Sequence, residues 1–207
     1  MRTNEHAPEA GATTEFRPFI LGIGGTSRPG SSSERALRVA LDAAASLGCD
    51  TQLLGGAFIT ALPIYDVEHT QRTREERLLV EAVLRCDGII VSSPGYHGTV
   101  SGPIKNALDL VEETAKAERV YLEGRAFGAI VSAYGWQACG TTLVTLRSVA
   151  HALRAWPTPF GATINATTPL FDADGACLDA AIEAQLRLVA TQVVDFCRWR
   201  HSGLAAR

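Results

Sequence analysis

Short apolar runs recur along the chain, and longer segments between them carry an apolar residue every three or four positions. The runs contain β-branched residues and lack polar alternation, which predicts strands buried on both faces. The longer periodic segments predict amphipathic helices. The predicted strands are residues 19–23, 51–54, 88–93, 126–132 and 159–164.

The intervening helices have recognisable ends and inner faces. Ser33 is the predicted N-cap of the first helix, and Gly48 follows its last turn. Residues 55–68 predict a loop, a helix with a charged outer face (residues 72–77) follows near Thr70, and the last helix is predicted over residues 178–199. The predicted inner stripes are Leu37, Leu41, Ala44 and Leu47; Leu78, Leu79, Ala82 and Val83; Ile104, Ala107, Leu108 and Val111; and Leu143, Leu146, Val149 and Leu153.

Strands thus alternate with helices five times. Apolar strands without polar alternation need helices on both faces, and parallel pairing with right-handed crossovers is then expected. The pattern predicts a doubly wound α/β fold with a five-stranded parallel sheet. We expect a disordered leader over residues 1–17, a single domain over 18–200 and a flexible tail over 201–207.

Composition narrows the function classes. The chain has 207 residues, of which 46% are hydrophobic, and a net charge of -3. The mild charge argues against a nucleic-acid partner, which requires a clustered basic face. The N-terminus lacks the apolar core of a secretory signal, and no apolar run has the length of a membrane span. We therefore expect a soluble, cytoplasmic protein.

The five cysteines predict neither a metal site nor a disulfide framework. No two form a C-x-x-C pair, none lies at ligand spacing from a histidine, and their number is odd. Most of them are expected to be small, buried apolar side chains in a reducing compartment.

Residues 25–33, hereafter the 25–33 loop, connect the first strand directly to a helix and read G-T-S-R-P-G-S-S-S. Hydroxyl groups, helix N-terminal amides and the charge of Arg28 together suit a phosphate monoester. The alternative is a flexible loop whose Ser33 only caps the helix. A P-loop is disfavoured because no Lys follows, and a dinucleotide fingerprint is disfavoured because Ser27 stands at its third glycine position.

A second loop follows the third strand, and residues 94–109 read P-G-Y-H-G-T-V-S-G-P-I-K-N-A-L-D. Tyr96 and His97 would project from the strand end. Flat rings beside exposed amides suit a planar heterocycle. A loop after the fourth strand, residues 133–140, leaves the same edge of the sheet, where ligands bind in this architecture.

This segment resembles the P-x-Y-[NH]-G…S-G-x-x-K-N-A-[LI]-D motif of the NADPH-dependent FMN reductase family. The 25–33 loop resembles the family's G-S-x-R-x-x-S-x-[NS] motif, with Thr26 where Ser is usual. The resemblance extends from about residue 19 to residue 199. It implies a flavodoxin-like fold, FMN as cofactor, and NADPH or NADH as reductant.

The resemblance also implies roles for individual residues. The 25–33 loop would hold the FMN phosphate, and the second loop would line the flavin ring and ribityl chain. The loop after strand four would touch the dimethylbenzene or pyrimidine side of the ring. The implied residues are Thr26, Arg28, Ser31 and Ser33; Pro94, Gly95, Tyr96, His97 and Gly98; and Ser132, Ala133, Tyr134 and Gly135.

Three positions depart from the family motif or have two alternative roles. Gly95 stands where many relatives carry Glu, and His97 where many carry Asn, which puts side-chain contacts to the flavin edge in doubt. His97 is either a proton donor or a loop histidine bonded to backbone, and the second reading is favoured. For Trp136 there are two alternatives: it lines a nicotinamide pocket, or it packs at a subunit contact.

The leading functional hypothesis is an NAD(P)H:FMN oxidoreductase that transfers hydride to FMN and supplies reduced flavin, for instance to a partner monooxygenase. One alternative is an FMN-bound reductase of quinones, azo compounds or metal oxyanions. Others are a flavodoxin-type electron carrier without an NAD(P)H site and a ligand-free interaction module.

The resemblance further implies a homodimer or homotetramer, with the helices of residues 108–111 and 143–153 as candidate contacts. A 2′-phosphate on the nicotinamide cofactor would need a cation. The candidates are Arg35, Arg72 and Arg74.

Overall fold

The computed structural model describes residues 16–205 and shows a seven-stranded sheet between two layers of helices. The predicted leader lies outside the described residues except for Phe16 and Arg17, and so do residues 206 and 207 of the predicted tail. The strands are β1 (Phe19–Gly24), β2 (Asp50–Leu54), β3 (Gly88–Tyr96), β4 (Thr99–Val100), β5 (Ala126–Ala133), β6 (Trp156–Pro157) and β7 (Ala162–Asn165).

The sheet order is β2-β1-β3-β5, and both β6 and β7 then pair with β5, one after the other along its length. All these pairs are parallel, and only β4 runs antiparallel, as a hairpin with β3. The doubly wound parallel architecture is confirmed. In addition to the five predicted strands, the sheet contains β4 and β6. Each has two residues and is therefore too short to show a periodic pattern of apolar residues in the sequence.

Helices cover both faces of the sheet. Helices α3, α4 and α5 enclose one apolar core, and α1 and α6 enclose the other. No helix within residues 16–205 combines the length and the apolar character needed to cross a membrane. The helices are α1 (Ser32–Ser46), α2 (Gly56–Ala61), α3 (Arg74–Arg85), α4 (Gly102–Asp109) with a 3-10 turn at Leu110–Thr114, α5 (Trp136–Ala152) and α6 (Ala180–Ala205).

Several predicted boundaries are wrong. Helix α2 lies inside the predicted loop 55–68. Of its six residues, Ile59 is the one buried residue with a large apolar side chain. Helix α5 begins at Trp136, inside the predicted loop 133–140. The last strand does not start at Pro159; β7 begins at Ala162. Helix α6 continues to Ala205, through the first part of the predicted tail.

The predicted charged face of α3 is partly buried. Glu76 forms a capping box with Thr73, accepts a 2.6 Å hydrogen bond from the Thr73 amide, and is 2% exposed. Arg72 lies between Glu76 (3.4 Å) and Glu113 (2.8 Å), and its hydrogen bond holds the pKa of Glu113 below the usual value. Leu78, placed by the pattern on the inner stripe, is 38% exposed.

Arg125 is the largest fully buried side chain of the described residues. Its guanidinium donates three hydrogen bonds of 2.9 Å, to the carbonyls of Leu84, Cys86 and Tyr121. Two of these acceptors lie at the C-terminal end of α3, where the helix dipole favours a cation. Burial lowers the pKa of Arg125, but an arginine keeps its proton in proteins. Arg125 thus joins α3 to the start of β5.

Four of the five cysteines are buried and all five are free thiols. Burial raises the pKa of Cys86 to about 11 and that of Cys197 to about 12. It also raises the pKa values of Cys49 and Cys139. Cys177 is half-buried, so most of the cysteines are buried, as predicted.

Candidate functional site

The sheet order reverses between β1 and β3, and loops that leave the carboxyl ends of these strands border one crevice. The crevice is a cavity of about 320 Å³, within the size range of ligand pockets. It is lined by Thr26, Ser27, Arg28, Ser31, Ser32, Ser33, Pro94, Gly95, Tyr96, Ser132, Ala133, Tyr134 and Ala166.

The structure therefore brings together residues from all three predicted loops. All predicted site residues line the cavity except His97, Gly98 and Gly135. Ser27 and Ser32 belong to the 25–33 loop but had been given no role. Ala166 was not predicted. It lines the cavity because it follows β7, whose carboxyl end reaches the same edge of the sheet as those of the other strands.

Helix α1 begins at the floor of this cavity. Its N-cap is Ser31, not the predicted Ser33, and the Ser31 hydroxyl accepts from the amide of Glu34 at 3.4 Å. Ser33 is held by its carbonyl, which accepts a 2.7 Å hydrogen bond from the Ser92 hydroxyl on β3. Both serines are buried, and their hydroxyl oxygens lie 3.3 Å apart.

This helix end has the donors that an anion needs. The first amides of a helix have no intrahelical acceptor, and the positive end of the helix dipole lies there. The hydroxyls of Ser31 and Ser33 add two groups able to donate, and Arg28, which is exposed beside them, adds a permanent charge. Such a donor set fits a phosphate monoester.

The start of the 25–33 loop is shaped by tight backbone contacts. Gly25 has a φ of 117°, and Thr26 folds back so that its hydroxyl accepts from the Arg28 amide at 3.1 Å. Gly56, the first residue of α2, packs directly on this segment. A Cβ added at Gly56 would lie 2.0 Å from the carbonyl oxygen of Thr26. Glycine is therefore required where α2 meets the loop.

The second predicted loop is a hairpin. Strand β3 continues to Tyr96, and β4 pairs back on it, with Gly95 opposite Val100. His97 and Gly98 form the turn with φ values of 51° and 83°, the backbone of a type I′ turn. His97 thus lies exposed at the hairpin tip and outside the cavity lining, which favours the structural reading over a proton donor.

Gly95 allows close packing between β3 and α5. A Cβ there would lie 3.0 Å from Thr142 Oγ1 and 3.2 Å from the Ala138 carbonyl oxygen. Thr142 is fully buried, and its hydroxyl has no hydrogen-bond partner among the described residues. A glutamate, which the resemblance would place at position 95, would require its neighbours on α5 to move by a few tenths of an ångström.

Two aromatic side chains of the cavity are exposed, and a third is exposed at the start of α5. Tyr96 is 52% exposed and Tyr134 is 73% exposed, and both line it. Trp136 is 63% exposed at the first position of α5 and does not line it. Exposed rings beside a cavity offer stacking surfaces for planar ligands.

The remaining residues of the second motif support the fold near the site. The Asn106 side-chain amide donates to the Pro63 carbonyl at 2.8 Å, and its oxygen accepts from the Tyr65 amide at 2.7 Å. Lys105 pairs with Asp109 on the surface of α4 at 2.6 Å. Asn106 therefore anchors the segment between α2 and α3.

Two of the three arginines considered for a 2′-phosphate are already engaged. Arg35 donates to the Asp172 carbonyl, and Arg72 is held by Glu76 and Glu113. Arg74 is exposed at the start of α3. In the part of the chain that the structure describes, no group of three or more His, Cys, Asp or Glu side chains is arranged to hold a metal ion.

Comparison with known proteins places this geometry among flavin-dependent oxidoreductases. Residues 18–167 match the family described as NADPH-dependent FMN reductase. A curated NADPH azoreductase from Bacillus sp. (strain OY1-2) is 37% identical over 57 residues, which are 27% of this chain and 32% of the relative. The match thus spans about a third of that relative's length.

Solved structures show the same fold. The flavoenzyme NAD(P)H:(acceptor) oxidoreductase from Paracoccus denitrificans superposes with a TM-score of 0.74 at 18% identity, over 88% of this chain and 98% of that one. A flavodoxin, WrbA-like protein from Agrobacterium tumefaciens superposes with a TM-score of 0.58 at 15% identity, over 88% of this chain and 99% of that one. The predicted flavodoxin-like fold is confirmed.

Proposed function

The chain belongs to the NADPH-dependent FMN reductase family, and from that premise we propose that it binds FMN in the cavity at the carboxyl edge of its sheet and reduces it with NADPH or NADH. The observation that carries the proposal is the N-terminus of α1, whose buried Ser31 and Ser33 hydroxyls open on the same cavity as Tyr96 and Tyr134. Phosphate donors and stacking rings on one cavity match the two ends of FMN.

The roles of the residues follow from their positions. Ser31, Ser33 and Arg28 would hold the phosphate, and the chain from Pro94 to Tyr96 would line the ring system. FMN, when bound, supplies the chemistry that accepts hydride, so the protein contributes orientation and electrostatics. The exposed faces of Tyr96 and Tyr134 leave room for a second planar molecule, which the nicotinamide or an electron acceptor could occupy in turn.

An anaerobic titration tests this function directly. Purified protein with FMN is titrated with NADPH, and separately with NADH, while the visible flavin absorbance is followed. Protein-dependent bleaching supports the reductase, and the more efficient nucleotide identifies the reductant. If FMN binds but neither nucleotide bleaches it, the electron-carrier hypothesis replaces the reductase. If FMN does not bind, the proposed function is wrong.

A second candidate function is an FMN-bound reductase of azo compounds, quinones or metal oxyanions. The partial match to an NADPH azoreductase and the open, aromatic mouth of the cavity favour it. Gel filtration of the FMN complex separates the two: retention of FMN supports a prosthetic group, and its loss supports FMN as a released product.

The proposal includes a homo-oligomer. The structure narrows the choice between the two helices that were predicted as its contact surface. Of the two predicted contacts, Leu108 and Val111 are at most 2% exposed because they pack in the chain's own core. On α5, Val144 is 65% exposed and lies on the outer surface. We propose α5 as the contact, which light scattering of the wild type and of Val144→Asp would test.

Arg28→Ala is expected to weaken FMN binding by about 1–2 kcal/mol, the lower part of the range for charged hydrogen bonds, because Arg28 is solvent-exposed. Riboflavin, which has no phosphate, should bind both proteins equally. Arg187→Ala, which removes an exposed arginine on α6, is the matched control. Equal FMN affinity of Arg28→Ala and wild type would argue against the phosphate assignment.

Tyr96→Ala is expected to weaken flavin binding without lowering the thermal unfolding temperature, because the half-exposed ring contributes little to the core. Tyr96→Phe keeps the ring and should bind flavin like the wild type. Flavin fluorescence and circular dichroism measure the two properties. A large loss of stability in Tyr96→Ala would instead identify a structural tyrosine.

A further inference from the structure

Glu34 lies in the first turn of α1, directly after the 25–33 loop, but does not line the cavity. Its carboxylate makes two contacts. One oxygen accepts a 2.9 Å hydrogen bond from the amide of Gly56, and the other pairs with Arg38 at 2.7 Å. The Glu34 side chain is 13% exposed, whereas Arg38 is 58% exposed, so the contact with Gly56 is the more shielded of the two. Glu34 thus connects the phosphate-side helix to the first amide of α2.

The contact with α2 reaches the loop itself. The backbone of Gly56 touches Thr26 so closely that a Cβ on Gly56 would lie 2.0 Å from the Thr26 oxygen and 2.8 Å from its nitrogen. A Cβ on Gly25 would lie 2.6 Å from the Gly56 nitrogen and 2.9 Å from the Glu34 carboxylate. The start of the loop, the start of α2 and Glu34 therefore form one three-way contact.

We propose that Glu34 is a positioning residue for phosphate binding: by accepting from the Gly56 amide it holds α2 against Thr26, and so fixes the 25–33 loop in the shape that receives a phosphate monoester. The inference rests on the proposed function, because FMN supplies that monoester. Glu34 acts through Gly56 and Thr26 and does not touch the ligand.

The carboxylate acts on phosphate binding in two opposite ways. Its hydrogen bond favours binding by holding the loop in shape before the ligand arrives. Its negative charge, in the first turn of the helix that would receive the phosphate, opposes binding. Glu34→Gln keeps an acceptor oxygen for the Gly56 amide and removes the charge. Glu34→Ala removes both, so the difference between the two variants measures the hydrogen bond alone.

The experiment measures dissociation constants of FMN and riboflavin by flavin fluorescence, with thermal unfolding recorded for each variant. Glu34→Gln should bind FMN at least as tightly as the wild type. Glu34→Ala should bind FMN about two- to tenfold more weakly than Glu34→Gln, the scale of a hydrogen bond between uncharged groups. Riboflavin affinity should be the same in all three, because riboflavin has no phosphate to be positioned.

Glu183→Ala is the matched control. Glu183 also lies in the first turn of a helix and pairs with an arginine four residues later, at 2.7 Å. Glu183 accepts from Arg187 and does not line the cavity, so its removal should leave FMN affinity unchanged.

Three results would contradict the positioning role of Glu34 or the proposed function. Equal FMN affinities of Glu34→Ala and Glu34→Gln would overturn the positioning role, and so would a parallel loss of riboflavin affinity, which indicates general disorder. If Glu34→Ala does not fold, Glu34→Asp, whose shorter side chain cannot reach the Gly56 amide, should still bind FMN more weakly than the wild type. Failure of the wild type to bind FMN would overturn the proposed function instead.

Discussion

Arg125→Met is expected to lower the free energy of unfolding by about 2–4 kcal/mol. The buried carbonyl of Cys86, left without a partner, costs roughly 1–3 kcal/mol, and the part-buried carbonyls of Leu84 and Tyr121 cost less because water can reach them. Methionine fills much of the same volume, so the loss reports the three hydrogen bonds to Leu84, Cys86 and Tyr121 and not a cavity. Urea-induced unfolding, followed by circular dichroism, measures the change.

The site should survive this substitution. Arg125 immediately precedes β5, at the amino end of that strand, whereas the cavity opens at the carboxyl end near Ser132. FMN affinity of the folded Arg125→Met protein should therefore match the wild type. Arg119→Met, at a nearby arginine that is only half-buried, is the control and should change stability by less than about 0.5 kcal/mol, as for most surface substitutions. A similar stability of all three proteins would contradict the structural role of Arg125.

Gly56→Ala is expected to weaken FMN binding strongly and to lower stability by about 1–3 kcal/mol, the usual cost of an overpacked contact. The added methyl group would overlap the carbonyl oxygen of Thr26, and neither backbone can move alone because Gly25 packs on the same amide. Helix α2 must separate from the 25–33 loop, which distorts the phosphate site. Flavin fluorescence and thermal unfolding record the two effects.

Gly102→Ala provides a close control, because Gly102 is also the first residue of its helix. A Cβ at Gly102 would meet no atom within 4 Å. Alanine there should leave FMN binding unchanged and should not destabilise the fold, since it reduces the entropy of the unfolded chain. Equal behaviour of Gly56→Ala and Gly102→Ala would show that the contact with Thr26 is looser than described.

The parallel strands and the meeting of the loops could be predicted because both follow from strong, local patterns. Ile89, Ile90 and Val91 are fully buried, as an uninterrupted apolar run requires. Arg28 and Tyr134 are far apart in sequence, yet they line one cavity because parallel strands end at a common edge.

Other features depend on tertiary contacts that leave no periodic trace. Helix α2 is stabilised by a hydrogen bond to Glu34, which lies in α1. This contact is not visible in the short sequence of α2 itself, and that sequence therefore predicts a loop. Glu76 is buried because Arg72 and Thr73 satisfy its carboxylate, although glutamate is normally a surface residue. The role of Arg125 depends on three carbonyls, and a backbone carbonyl has the same chemistry at every position of a sequence.

The burial of the thiols affects how readily the protein's cysteines would be oxidised during its proposed reaction. Reduced flavin that meets oxygen yields peroxide, which oxidises cysteine when the cysteine reacts as the thiolate. With pKa values of about 11 for Cys86 and about 12 for Cys197, these thiols stay protonated at neutral pH, and burial also limits access. Cys49 and Cys139 are shielded in the same way. The interior is therefore resistant to oxidation, and damage would begin at the more accessible Cys177.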